Sequence, residues 1–106
     1  MKYTMAKYTV RPEAVKAVKK AIAEFIAEVR KNEPRTLFLV FREEGQHTFA
    51  NWMSFENEAA ERRHAKSRYN DHFVKKLLEC GASKPSFSEF RLFATSKKQW
   101  PLAPNG

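Results

Sequence analysis

The sequence predicts an α+β domain of the ferredoxin-like kind, an antiparallel sheet with helices on one face. Strand-like and helix-like segments follow in the order strand, helix, strand, strand, helix pair, strand along 106 residues, the length of one domain. Residues 36–41 and 49–55 carry large side chains on both strand faces, whereas a half-buried antiparallel strand normally alternates apolar with polar residues. The chain's own helices can cover only one face, so we expect a homodimer, a dimeric α+β barrel, in which a second copy covers the other.

The first half of the chain predicts a strand and a long helix. Residues 1–10 alternate in polarity as a strand does, and Pro12 then suits a first helical turn, where its missing N–H costs nothing. Glu13 beside it suits the positive end of the helix dipole. The helix carries one apolar stripe at spacings of three and four: Val15, Val18, Ile22, Phe25, Ile26 and Val29. Residues 32–34, Asn-Glu-Pro, end it.

The middle of the chain predicts a hairpin. Residues 36–41 form a nearly continuous apolar run of strand length, and residues 43–46 form a turn in which Gly45 can adopt positive φ. Residues 47–55 then pair back. Phe49, Asn51 and Phe55 lie on one face of this strand, and Trp52 lies on the other, which we assign to dimer packing.

The rest of the chain predicts a helix pair, a last strand and a tail. Asn57 can cap a short helix over residues 59–65, because its side-chain oxygen accepts from the first unpaired amides. The next helix places Tyr69, Phe73, Leu77 and Cys80 on one face, and Gly81 is suited to the left-handed stop after it. Residues 86–95 read as the last strand. The domain is therefore placed at residues 1–95 and a C-terminal tail at residues 96–106.

Composition narrows the functional classes. The net charge of +8 permits nucleic acid, but the basic residues are spread over four segments, and residues 47–55 lack the aromatic signature of the RNA-recognition motif. We therefore do not expect nucleic acid as a partner. No apolar run approaches the roughly 20 residues that span a bilayer, and the N-terminus lacks the apolar segment of a signal peptide. We expect no membrane partner and a cytoplasmic location.

Common catalytic and metal-binding motifs are missing from the sequence. It contains no glycine-rich phosphate loop, no Ser-x-x-Lys, no Cys-x-x-Cys and no HExxH. His47, His64 and His72 lack metal-ligand spacing, and no carboxylate is arranged with them in the sequence, so no metal is expected. We interpret His47 as a turn residue. From the residues alone, His64 is expected to be satisfied by backbone at a helix end.

Three stretches resemble the antibiotic biosynthesis monooxygenase family of small dimeric α+β barrels, over residues 8–95. Residues 10–13, VRPE, are similar to the family's "v-x-P-G" step, and residues 33–37, EPRTL, to its "E-x-G-x-l" segment, both without the usual glycine. Residues 55–57, FEN, followed by His64 and Phe73, resemble its "W-E-S…H…f/y" segment, with phenylalanine in place of tryptophan.

The resemblance also implies a reaction. Members that oxidise polycyclic anthrones have an asparagine four residues before that tryptophan, and Asn51 stands four before Phe55. An amide donor there can stabilise the oxyanion of a phenolate-like substrate that reacts with dioxygen, a scheme that needs no metal, flavin or other cofactor. Glu61 stands where those members have tyrosine. Haem-degrading relatives need an asparagine on strand one, which residues 1–10 lack, so we do not expect haem degradation.

The expected function is a cofactor-independent monooxygenase acting on an aromatic or quinol-like small molecule. The candidate catalytic residues are Asn51, His64, Tyr69 and His72, and the candidate pocket walls are Phe25, Phe49, Phe55 and Phe73. Two alternatives stay open. The phenylalanines can simply fill the core and leave no pocket, or the chain can bind a small molecule or a protein without catalysis, since fold does not determine function.

Overall fold

The computed structural model describes residues 2–100 and contains the predicted elements in the predicted order. They are β1 (Lys2–Thr9), a 3₁₀ turn (Pro12–Ala14), α1 (Val15–Asn32), β2 (Leu37–Arg42), β3 (Thr48–Ser54), α2 (Glu58–Lys66), α3 (Arg68–Glu79) and β4 (Ser86–Arg91). The four strands form one antiparallel sheet in the order β2-β3-β1-β4. The predicted α+β fold class is confirmed. The predicted strand position Met1 and tail positions 101–106 lie outside the described residues.

The ends of several elements follow from the residues that stand there. The Asn57 side chain accepts from the Ala60 amide at 2.8 Å, as a helix cap does. Gly45 and Gly81 adopt φ values of 70° and 74°, in the left-handed region that favours glycine. The prediction that the last strand runs to residue 95 is wrong, because β4 ends at Arg91, which pairs with Lys2 at the start of β1.

The core lies between the helices and one face of the sheet. Helix α1 buries Val18, Ala21, Phe25 and Val29, whereas Val15, Ile22 and Ile26 of the predicted stripe are only partly buried. The core side chains from the sheet and α3 are Tyr8, Val10, Phe49, Phe73, Leu77 and Cys80. This packing orients one side of β1 and β3 toward the helices.

The opposite face of the sheet has no helix over it among the described residues. Phe41 and Phe90 are exposed to 53% and 44%, and the Trp52 and Phe90 rings lie 5.3 Å apart. A groove of about 650 Å³ runs along this helix-free face, and Phe93 and Trp100 also line it. The predicted two-sided apolar character of the sheet is therefore present in the fold. No helix within residues 2–100 is long and apolar enough to cross a membrane.

Candidate active site

A cavity of about 600 Å³ lies between the helices and the helix-facing side of the sheet. Its apolar walls include Phe25 from α1, Phe55 after β3 and Phe73 from α3. The residues with polar side chains in its lining are Thr4, Tyr8, Asn51, Glu61, His64, Asn70 and Glu89. The alternative in which the phenylalanines fill this space is wrong, because an open cavity lies beside Asn51.

Asn51 lies on β3 with its side chain toward the helices, and it is buried to all but 4%. Its Oδ1 accepts a hydrogen bond of 3.0 Å from the Tyr8 hydroxyl. Burial raises the pKa of Tyr8 well above its ordinary value, and the hydrogen bond to Asn51 lowers it by less. Tyr8 therefore stays a neutral donor at physiological pH. Because Tyr8 occupies the amide oxygen, the amide N–H₂ is the group that Asn51 can offer to a ligand in the cavity.

His64 lies on α2, buried, with its ring among aromatic neighbours. The ring centroid is 5.1 Å from that of Phe55 and 5.7 Å from those of Phe25 and Phe38. Its Nδ1 lies 2.7 Å from Oε2 of Glu33. Since an ionised carboxylate only accepts hydrogen bonds, Nδ1 carries the proton, and in the neutral ring Nε2 is the bare nitrogen.

Two expectations about His64 are wrong. Its ring is satisfied by a carboxylate and not by backbone, and a carboxylate is arranged with one of the histidines after all. Glu33 stands 31 residues earlier, at the end of α1, and the fold brings it to α2. Spacing within one segment does not reveal a pair of this kind.

Glu33 is itself held by two further donors. Its Oε1 accepts from the Thr36 hydroxyl at 3.0 Å, and its Oε2 accepts from the Tyr69 hydroxyl. Burial first, and then the hydrogen bond and negative charge of Glu33, raise the pKa of Tyr69 to about 12. Tyr69 is thus a neutral donor near pH 7. It does not line the cavity. Its hydroxyl and His64 Nδ1 contact the same Glu33 oxygen, and its ring centroid lies 6.2 Å from that of His64.

Two other predicted site residues lie elsewhere. His72 is exposed and lines a separate depression between α1 and α3, which Tyr69 also lines. Phe49 is in the core, stacked on Tyr8 with ring centroids 5.9 Å apart, outside the cavity lining. The fold therefore brings together Asn51, His64 and three of the four predicted phenylalanine walls, and it separates His72 and Phe49 from them.

The mouth of the cavity carries opposite charges. The Nζ of Lys2 lies 3.1 Å from a Glu61 oxygen and 3.5 Å from a Glu89 oxygen. The hydrogen bond to Glu61 is the main cause that raises the pKa of Lys2. Both carboxylates line the cavity and are partly or largely exposed, so Lys2 links α2 to β4 on the solvent-exposed side of the cavity. Within residues 2–100 no cluster of three or more His, Cys, Asp or Glu could hold a metal ion.

Sequence reasoning missed the roles of Tyr8 and Glu33. Tyr8 lies on the same face of β1 as the buried Ala6. A side chain with a hydroxyl at a position that faces the core was the signal in the sequence that could have identified it. Glu33 belongs to the helix-ending segment that carried a family resemblance, but nothing local connects it to His64.

Comparison with known proteins gives a consistent result. A family model described as "Antibiotic biosynthesis monooxygenase" matches residues 1–76. No curated protein matches the sequence. A crystal structure described as an antibiotic biosynthesis monooxygenase is 18% identical, with a TM-score of 0.78 over 89% of this chain and 100% of that chain. Rv0793 from Mycobacterium tuberculosis is 12% identical, with a TM-score of 0.77 over 91% and 98%. A conserved protein from Methanosarcina mazei Go1 is 22% identical, with a TM-score of 0.76 over 85% and 90%. These structural likenesses establish a shared fold.

Proposed function

The chain belongs to the antibiotic biosynthesis monooxygenase family, as its motifs predicted, and on that premise we propose that it is a cofactor-independent monooxygenase for an aromatic, quinol-like small molecule. One observation carries the proposal: Asn51 and His64 line the same cavity of about 600 Å³. Such a volume lies within the usual range of small-molecule sites, about 300–1,000 Å³. A hydrogen-bond donor, the Asn51 amide, and a proton acceptor, the His64 imidazole, thus line one mostly apolar space, as a phenolic substrate requires.

The proposed chemistry begins with a proton transfer. Nε2 of His64 takes the phenolic proton of the substrate, and the N–H₂ of Asn51 stabilises the oxyanion that forms. A ring carbon of the substrate anion then bonds to dioxygen and gives a peroxide. When the C–H bond of that carbon breaks, its electron pair forms a carbonyl and the O–O bond breaks, so that one oxygen atom stays in the quinone product and the other leaves as water. The rings of Phe25, Phe55 and Phe73 hold the aromatic substrate and keep bulk water out.

Replacement of Asn51 tests this proposal. We expect Asn51→Ala to lower the rate of oxygen uptake with an anthrone or quinol by about 100- to 1,000-fold, the usual cost of one lost oxyanion donor. Asn70→Ala is the matched control, because Asn70 also lines the cavity but lies on α3, where its amide donates to the Ala65 carbonyl. Unchanged turnover in Asn51→Ala would remove its assigned role. Absence of turnover by the wild type would remove the enzyme function for these substrates.

We also propose that the helix-free face is covered by a second copy of the chain. Leu39, Phe41 and Phe90 are exposed there, and contiguous apolar surface of this kind marks an interaction site. The Tyr3 hydroxyl, which lies beside this groove, is buried and has no hydrogen-bond partner among residues 2–100. A dimer gives both features a partner.

Light scattering tests the dimer. We expect the wild type to have twice the mass of one chain at micromolar concentration and Trp52→Glu to have the mass of one chain, since a carboxylate in an apolar interface is strongly unfavourable. Lys16→Glu, an exposed change on α1, is the control. A wild-type protein that stays monomeric contradicts the proposal.

A second function competes with the first. Phe55 and Glu61 stand where the anthrone-oxidising relatives have tryptophan and tyrosine, which favours a chain that binds small molecules without oxidising them. Calorimetry with a quinol under anaerobic conditions separates the two. Binding with no oxygen uptake after air is admitted supports this second function.

A further inference from the structure

Glu33 lies behind the cavity and contacts the candidate base from the outside. Its carboxylate contacts His64 at 2.7 Å and has a side-chain exposure of 11%. It does not line the cavity of about 600 Å³ but a second depression of about 340 Å³, together with Tyr69. Resting on the proposed function, we infer that Glu33 is the positioning residue of the site: it holds His64 with Nδ1 protonated and Nε2 bare toward the substrate.

The hydrogen bonds around Glu33 leave its carboxylate little freedom to turn. Thr36 donates to one oxygen, and His64 and Tyr69 both donate to the other. These three donors, two hydroxyls and one imidazole, come from three different segments of the chain. A rotation of the carboxylate would therefore break its hydrogen bonds to all three. A neutral imidazole has one donor and one acceptor nitrogen. With Nδ1 committed to Glu33, the acceptor is Nε2 of a ring that lines the cavity.

Among residues 2–100, Glu33 is the acidic group within ion-pair distance of a His64 ring nitrogen. The neighbouring rings from α1, β2 and the segment after β3 are Phe25, Phe38 and Phe55, which are neutral, and α3 contributes Tyr69. Glu61 and Glu89 line the same cavity from α2 and β4, but both pair with Lys2 at its mouth. Glu33 therefore determines which nitrogen of the neutral ring carries the proton.

The role of Glu33 in the proton step follows from this contact. When the substrate O–H bond breaks and the Nε2–H bond forms, the imidazolium lies against the Glu33 carboxylate, which stabilises the positive charge without taking the proton. His64 then returns this proton to the outer oxygen of the peroxide, which leaves as water together with the proton from the broken C–H bond of the substrate. Tyr69 donates to Glu33 throughout and is not itself a proton-transfer group.

Nitrogen-15 NMR of the imidazole and steady-state kinetics test the inference together. We expect the wild-type His64 ring to carry its proton on Nδ1 at neutral pH. In Glu33→Ala the proton moves to Nε2, because Nδ1 loses its acceptor and the released Tyr69 hydroxyl becomes a donor toward it. We expect kcat to fall about 100-fold, within the usual contribution of a general base, with KM unchanged because Glu33 does not line the cavity. Glu56→Ala is the control: Glu56 lines the same depression of about 340 Å³ but binds Arg35.

Tyr69→Phe keeps the inference testable if Glu33→Ala fails to fold. We expect this variant to retain the Nδ1–H form and to lose less activity than Glu33→Ala, because Glu33 still accepts from His64. A wild-type ring with its proton on Nε2, or unchanged kcat in a folded Glu33→Ala, overturns the role of Glu33. Lack of wild-type turnover overturns the proposed oxygenase instead, and the NMR spectrum still decides whether Glu33 orients His64.

Discussion

The two faces of the sheet differ in how completely one chain satisfies them. On the helix-covered face, the buried polar groups of Asn51 and His64 have partners from the same chain, in Tyr8 and Glu33. On the helix-free face, Phe41 and Phe90 are exposed, and the Tyr3 hydroxyl is buried without a partner among residues 2–100. Buried polar groups are almost always hydrogen-bonded in native proteins. The candidate site thus forms within one chain, whereas the described residues leave the opposite face uncovered, which is the face that the proposed dimer would cover.

The largest expected effect is on the free energy of unfolding, which should respond differently to substitutions on the two faces. Phe25 is buried, and its ring stacks on Phe73 with centroids 4.4 Å apart. Phe25→Ala should lower the free energy of unfolding by about 3–5 kcal/mol, the usual cost of removing a core phenylalanine. Phe41→Ala is the matched change on the other face, and we expect its effect to depend on protein concentration, because it weakens association. Urea unfolding at two protein concentrations measures both.

Two outcomes would break this comparison. A loss below about 1 kcal/mol in Phe25→Ala would mean that the helix-covered face is not the main core. A loss in Phe41→Ala that is the same at high and low protein concentration would mean that the helix-free face is covered within one chain.

Alkaline pH should sharpen the comparison on the helix-covered face. The folded pKa values of Tyr8 and Tyr69 are raised above the ordinary value of 10.0, that of Tyr69 to about 12. The folded state thus holds these protons more tightly than the unfolded state, so their contribution is complete below about pH 10 and is lost as the pH rises toward 12. We expect stability to fall across this window and the fall to be smaller in Tyr8→Phe and Tyr69→Phe.

Thermal unfolding between pH 9 and 12 checks this expectation. Tyr3→Phe is the control, because Tyr3 lies on the helix-free face. A pH dependence that is the same in the wild type and in all three variants would contradict the assigned cause.

Local pattern predicted most of the fold and part of the site. The apolar stripe of α1, the Asn57 cap and the Gly45 turn each depend on residues close in sequence, and periodicity and side-chain chemistry were sufficient for them. Asn51 and Phe55 share a strand face for the same reason. The end of β4 was not predictable in this way, because it depends on where β1 begins in the paired register.

The unpredicted part of the site depends on contacts that are remote in sequence. The Tyr8–Asn51 bond joins residues 43 apart, and the Glu33–Tyr69 bond joins residues 36 apart. Each requires the rotation of a helix or the register of a strand to be known. The same is true of His72: it lines the depression between α1 and α3 together with Tyr69 and does not line the cavity.

The smallest effect is expected at the mouth of the cavity, on the helix-covered side. Lys2 bridges Glu61 and Glu89, and all three side chains are partly or largely exposed to water. Exposed ion pairs contribute little to stability, so Lys2→Ala should leave the melting temperature nearly unchanged. It should instead leave two uncompensated carboxylates beside the substrate's path, which disfavours an anionic quinol. We expect KM for such a substrate to rise by less than about tenfold, with kcat unchanged, and the rise to disappear in high salt because salt screens exposed charges.

Lys16→Ala, on the exposed side of α1, is the control for this change. A rise in KM that persists at high salt would mean that Lys2 contacts the bound substrate directly. A fall in kcat would place Lys2 within the reacting centre.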